Sequence, residues 1–168
     1  MLFRSAAAFV TRARQGSALV GVHVRRGDRA PEGDSFHREI LLRPTYYRRA
    51  AAEMPRDACF AVFSDRPEDV EWCRAHLGLE DFGRVTYADG RDPIVDFFAL
   101  SGCDHQIISA STFSWWAAWL NSNPSKIVVA PPLQQGYGPR SAENDLDTRL
   151  PAEWRIVPDD PPDRCGAP

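Results

Sequence analysis

The sequence predicts an α/β fold, a mostly parallel sheet covered by helices on both faces. Three observations point to it. Apolar runs of strand length recur along the chain, runs with helical spacing separate them, and 168 residues with 43% hydrophobic content are enough for one buried core. A strand joined to the next through a helix returns parallel to the first, and the crossover lays that helix over the sheet.

The elements follow in order. Met1 to Arg14 is rich in arginine and free of acids, like an organellar transit peptide. A first helix packed beside the sheet explains it more simply, because a strand follows almost at once. That strand, Ala18 to Val24, is apolar almost throughout and reads as buried. Cys59 to Ser64, Arg84 to Tyr87, His105 to Ser109 and Lys126 to Ala130 read as further strands. Helices are predicted at Thr45 to Met54, Pro67 to Leu77, Pro93 to Ser101 and Ser114 to Asn121. Pro67, after Ser64-Asp65, suits a first helical turn, and Gly78 suits the stop. From Pro131 onward the chain becomes rich in Pro, Gly and polar residues, so one domain is expected over residues 1–157 and a flexible Pro-rich tail over 158–168.

Composition excludes several classes of function. The net charge of −3 and sequence pI near 5.8 disfavour nucleic acid as a partner, since binding to a phosphate backbone normally needs a basic domain. Lys126 is the single lysine among 20 basic residues, so arginine is abundant here on compositional grounds and only its placement is informative. Cys59, Cys73, Cys103 and Cys165 form no C-x-x-C pair and no zinc-like spacing; buried free thiols are expected, as in a reducing compartment. A mean hydropathy of −0.38, with no long apolar run, predicts no membrane span.

The first chemical motif is His23-Val24-Arg25-Arg26-Gly27-Asp28, at the carboxyl end of the first strand. In open α/β sheets ligands bind in the crevice beyond the carboxyl ends of the strands. Adjacent side chains leaving a strand end diverge, so at least one guanidinium faces that crevice, where its rigid fork of donors suits phosphate oxygens. The competing reading is a surface salt-bridge cluster. Arg26-Gly27-Asp28 also spells an adhesion tripeptide, but that use needs an exposed loop tip and this one abuts a buried strand.

The second motif is Ser109-Ala110-Ser111-Thr112-Phe113-Ser114-Trp115-Trp116. It follows a strand and opens a helix, so hydroxyls and free backbone N–H groups gather at a positive helix end. One hydroxyl there would be a helix cap and nothing more. Four hydroxyls in six residues, beside the arginines of the first motif, read as an anion site. Trp115, Trp116 and Trp119 at helical spacing read as core.

Both motifs, with Tyr46-Tyr47, Phe63-Ser64-Asp65, Asp96 and Cys103 to Ile108 between them and Ala117-Ala118-Trp119-Leu120-Asn121 after, resemble the α1,2-fucosyltransferases in order and spacing, from about Ala18 to Val157. The resemblance implies a Rossmann-like sheet, similar to the C-terminal half of a glycosyltransferase of GT-B type. It also implies transfer of fucose from GDP-fucose to the 2-hydroxyl of a galactose-containing glycan, with inversion, and with neither metal nor cofactor. Three departures accompany it. Family members usually carry roughly a hundred or more residues before the arginine motif, a whole domain by length; Ala110 stands where Asn is common; and Gln134-Gln135-Gly136 replaces an aromatic pair. A nucleotide-sugar binding module or fragment lacking the acceptor domain is therefore the alternative. The location expected is the cytoplasm for a bacterial chain, and a membrane-associated or Golgi-lumenal one for a eukaryotic chain lacking an N-terminal anchor.

What the resemblance implies for single residues follows from the chemistry of transfer. The departing diphosphate gains negative charge, so positive groups held against it are the largest help; Arg25 and Arg26, with Ser111, Thr112, Phe113 and Ser114, supply them. Asp96 stands where related enzymes place an acid against guanine, or else caps a helix. His23 hydrogen-bonds the nucleotide or ends its strand, and Asp28 orients an arginine. Glu32 and Asp34, in the loop after the motif, are the candidates for the general base. Asp145-Leu146-Asp147 has the spacing of a metal-binding acid pair but lies in the polar C-terminal region rather than after a strand.

Overall fold

The computed structural model describes residues 2–27, 41–132 and 150–159. Its strands are β1 (Leu19–Val24), β2 (Cys59–Ser64), β3 (Val85–Tyr87), β4 (His105–Ile107), β5 (Val128–Ala130) and β6 (Arg155–Ile156). Its helices are α1 (Leu2–Arg14), α2 (Pro44–Ala52), α3 (Pro67–His76), α4 (Pro93–Ser101) and α5 (Thr112–Trp119), with a short 3-10 turn at Leu79–Asp81. The strands form one six-stranded sheet in the order β3-β2-β1-β4-β5-β6, and every neighbouring pair is parallel. The α/β, Rossmann-like sheet expected from the sequence is present, in the doubly wound order.

Strand alternation sorts the core into two layers. Val20, Val22 and Val24 of β1 point to the side of α2 and α3, where they join Tyr46, Tyr47, Ala50, Phe60, Val62 and Cys73. Leu19 points to the other side, with Ala61 and Phe63 of β2, against Ala6, Val10 and Ala13 of α1 and Ala99 and Leu100 of α4. On that second side Gly21 lets α4 come close. A Cβ built on it would lie 2.6 Å from Leu100 Cδ1 and 3.0 Å from Cys103 Sγ.

The predicted elements recur with small shifts. One strand went unforeseen, β6, whose two residues are both exposed. The hydrogen-bonded chain also runs past the expected domain end at 157. Buried Asp159 accepts from the Arg43 N–H at 2.9 Å and the Thr45 hydroxyl at 2.7 Å, which ties it to the start of α2. Cys59, Cys73 and Cys103 are buried free thiols, as expected, and Cys165 lies outside the described residues. Of the three tryptophans read as core, Trp115 packs against Trp154 and the cluster of Ile108 and Ala118, whereas Trp116 and Trp119 are each 51% exposed and correct that reading. The buried face of α5 is built instead from Ser114, Ala117 and Ala118, small residues that let the helix lie close to its neighbours.

Among the described residues no helix is long and apolar enough to cross a membrane. The close approach at Gly21 makes a first prediction. Gly21→Ala should destabilise the chain by about 1–3 kcal/mol, the range for overpacking a filled core. A lowered urea midpoint with an unchanged slope is the expected result.

Candidate functional site

β1 and β4 are adjacent, and their chains leave to opposite sides of the sheet, which opens the crevice at their carboxyl ends. The last turns of that region are tightly held. The Tyr46 hydroxyl donates to the Ile108 carbonyl at 2.6 Å, and His23 Nδ1 lies 2.9 Å from Ser109 Oγ, linking the ends of β1 and β4 directly. The His23 ring packs on Phe113 with 5.0 Å between centroids, and Phe113 in turn meets Phe97 of α4 edge-on at 5.4 Å.

Between these groups lies a cavity of about 250 Å³ lined by His23, Arg25, Phe63, Ser64, Asp65, Gly90, Pro93, Asp96 and Phe113. It joins residues from both sequence motifs. Four of the predicted site residues, His23, Arg25, Asp96 and Phe113, line it. Ser111 is the N-cap of α5, with extended backbone and no hydrogen bond from its side chain to the helix. Thr112 is exposed and begins that helix. Ser114 is buried, and its hydroxyl lies 3.3 Å from the carbonyls of Ser109 and Ser111, so it secures the turn. The first N–H groups of α5 have no partner within the helix and carry its positive end toward the crevice. At the other end Lys126 Nζ donates to the carbonyls of Ala118 and Asn121 at 2.8 Å and of Trp119 at 3.3 Å, so the lysine closes the negative end.

The two arginines part company. Arg25 enters the cavity, where its Nη1 meets Asp65 Oδ1 at 2.5 Å. Arg26 turns the other way and is only 6% exposed; its guanidinium carbon sits 3.6 Å from the centre of the Trp72 ring, and its Nε is 3.6 Å from Asp69 Oδ1. Residues one apart on a strand point to opposite faces, and that parity continues past Val24.

Asp96 is not a helix cap. That part belongs to Asp92, whose Oδ1 accepts from the N–H groups of Ile94 and Val95 at 3.0 and 3.1 Å. The Asp96 carboxyl, 8% exposed, has no hydrogen-bond partner among the described residues. Burial, assisted by the charges of Asp89 and Asp92, pushes its pKa up from 3.8 to about 7. Asp65 is also raised, by burial, which outweighs the opposing attraction of Arg25.

Asp28, Glu32, Asp34 and the Asp145-Leu146-Asp147 pair lie outside the described residues. Among the described residues no cluster of three or more His, Cys, Asp or Glu is placed to hold a metal ion. Sequence reasoning assigned no role to Asp65, Phe63, Gly90 or Pro93 at the cavity, nor to Asp69 behind it. The available signal was Ser64-Asp65-Arg66-Pro67-Glu68-Asp69, acids placed between the end of one apolar strand and the first turn of a helix.

Similarity to known proteins bears on this geometry. The chain is 36% identical over 118 residues to an alpha-1,2-colitosyltransferase of Escherichia coli, a match covering 67% of this chain and 39% of that protein. It is 34% identical over 123 residues to the Escherichia coli O-antigen biosynthesis glycosyltransferase WbnK, covering 70% of this chain and 39% of the relative. It is also 35% identical over 105 residues to human galactoside alpha-(1,2)-fucosyltransferase 1, covering 61% of this chain and 28% of the relative. The chain thus spans about two fifths or less of the length of these relatives. No solved structure matches it. Residues 6–151 match the sequence pattern of glycosyl transferase family 11, and the chain belongs to that family.

Proposed function

We propose that the cavity between β1 and α5 receives the nucleotide of GDP-fucose. We further propose that this site serves transfer of fucose to the 2-hydroxyl of a galactose-containing glycan, with inversion and without metal. One observation carries the reading: Arg25, the positive end of α5 and the unpartnered carboxyl of Asp96 meet at a single cavity at the switch point of a doubly wound sheet. The curated relatives, named for transfer of fucose or colitose in α1,2 linkage, support the reaction class.

In an inverting transfer the acceptor hydroxyl attacks the anomeric carbon from the side opposite the diphosphate, and the C–O bond to GDP breaks as the new one forms. Charge then grows on the diphosphate oxygens. Arg25 and the first N–H groups of α5 are held in place before reaction, so they stabilise that charge without rearrangement. The N1–H and 2-amino group of guanine point the same way and suit one carboxylate acceptor, the part proposed for Asp96. His23, fixed by Ser109, lines the wall beside it. Glu32 and Asp34 are the proposed bases toward the acceptor, with Asp28 supporting the arginine loop.

Arg25→Ala should weaken GDP binding by about 1.5–3 kcal/mol, the scale of a hydrogen bond to a charged group. Arg25→Lys should restore only part of it, because an ammonium lacks the fork. Titration calorimetry with and without chelator checks both points, since chelator should leave the affinity unchanged. An undiminished affinity in Arg25→Ala removes the phosphate assignment.

Asp96 gives a pH signature. Guanine needs the carboxylate, whereas below about pH 7 the free protein holds the protonated acid. GDP affinity should therefore fall about tenfold per pH unit below that point and level off above it. Asp96→Asn should flatten this profile and narrow the preference for GDP over ADP and UDP. Stability moves oppositely: the folded chain keeps the Asp96 proton to about pH 7, the unfolded chain loses it near 3.8, and raising pH across that window favours unfolding. Asp96→Asn should consequently raise the melting midpoint at pH 8 while impairing base selection.

A further inference from the structure

We propose that Asp69, outside the cavity, is a positioning residue that aims Arg25 at the donor diphosphate by anchoring Arg26 and Gly27 to α3. The inference rests on the donor-site reading above and adds a residue to it.

The segment leaving β1 must hold a cation in place where no regular structure remains. Val24 has no polar side-chain atom to anchor the turn, so the backbone itself is tied. The Ser64 hydroxyl donates to the Val24 carbonyl at 2.7 Å, the Arg26 N–H donates to Asp65 Oδ2 at 3.1 Å, and the Gly27 N–H donates to Asp69 Oδ2 at 3.3 Å. Asp69 lies in the first turn of α3 with its side chain 6% exposed, and there it also accepts from Arg66 Nε at 3.0 Å. Gly27 adopts a φ of +24°, and a Cβ there would sit 3.0 Å from Asp65 Oδ2, so the close wrap around the two acids needs glycine.

Arg26 completes the anchor. Its guanidinium is stacked on Trp72 and ion-paired with Asp69 on the face of the sheet away from the cavity. With Asp69 compensating Arg26, Asp65 is left to Arg25, which it holds through Oδ1 while its Oδ2 holds the backbone of the next residue. One acid therefore fixes the guanidinium in the cavity, and the other fixes the turn that presents it. Loss of Asp69 leaves Arg26 as a buried cation whose carboxylate partner is gone, and the turn loses the Gly27 bond. Both changes misplace Arg25 without touching the cavity wall against which a base would rest.

The test compares GDP with guanosine, which lacks the phosphates, by titration calorimetry on the full chain. Asp69→Asn should weaken GDP binding about 5- to 30-fold, less than the loss of a charged hydrogen bond at the phosphate itself, and leave guanosine affinity unchanged. Arg26→Gln should show the same selective loss, and the double variant should be no worse than either single one, because both act through one contact. If Asp69→Asn does not fold, Arg26→Gln alone decides. Unchanged GDP affinity, or equal loss for GDP and guanosine, overturns the proposal, as does an additive double variant, which would mean that Arg26 meets phosphate directly. A wild-type chain that binds no GDP overturns the donor-site reading and this inference with it.

Discussion

The pairing of β1 on both sides governs the rest of the structure. Its six residues register with β2 from Leu19 opposite Cys59 to Val24 opposite Ser64, and Val20 to Val22 also pair with His105 to Ile107 of β4. A strand so held cannot slip by a residue without turning every side chain to the wrong layer. Its valines are committed to the α2 and α3 side, and its odd residues to the side of α1 and α4. The same parity sends His23 toward the cavity and, past the strand end, sends Arg25 there too and Arg26 to Trp72 and Asp69. One rigid strand thereby turns a pair of adjacent arginines into one cavity-facing cation and one packed against Trp72 and Asp69.

Much of this was legible in the sequence. Apolar runs located β1 and β2, Pro67 and Pro93 located helix starts, and the two motifs fell at the carboxyl edge where they were expected. The divergence of Arg25 and Arg26 followed from strand geometry alone. Which arginine faces the cavity did not, because the answer depends on which layer receives α4 and α5, a property of the crossovers rather than of local residues. Asp65 and Asp69 were missed for a related reason: their meaning appears only once β2 lies beside β1 and brings the start of α3 against the arginine turn. β6 left no signal because two exposed residues have no apolar period. Trp116 and Trp119 misled because helical spacing fixes a stripe but not which stripe is buried, and Ala117 and Ala118 won the close contact while Trp115 packs on Trp154.

The electrostatics of the crevice follow from the same arrangement. Helix α5 is short, with its positive end at the crevice and its negative end closed by the chain's single lysine, which bonds three carbonyls there. The field left over is concentrated where the sheet's carboxyl edge opens. Across the cavity the acids are treated unequally. Asp65 is tied to a guanidinium and to a backbone N–H, Asp92 caps α4, and Asp96 is left with neither.

That inequality separates scaffold from site. A buried acid without a partner is costly to keep charged, and Asp96 responds by holding its proton to about pH 7. Nothing in the packing of α4 requires it, since the cap is supplied by Asp92 and the apolar face by Ala99 and Leu100. Replacing it with an apolar or amide side chain would relieve the helix. Asp96 instead opens onto the same cavity as Arg25, where the proposed nucleotide would bring the donors it lacks. Asp65 and Asp92 thus hold the fold, while the Asp96 carboxyl, bonded to none of the described residues, is left open to the cavity.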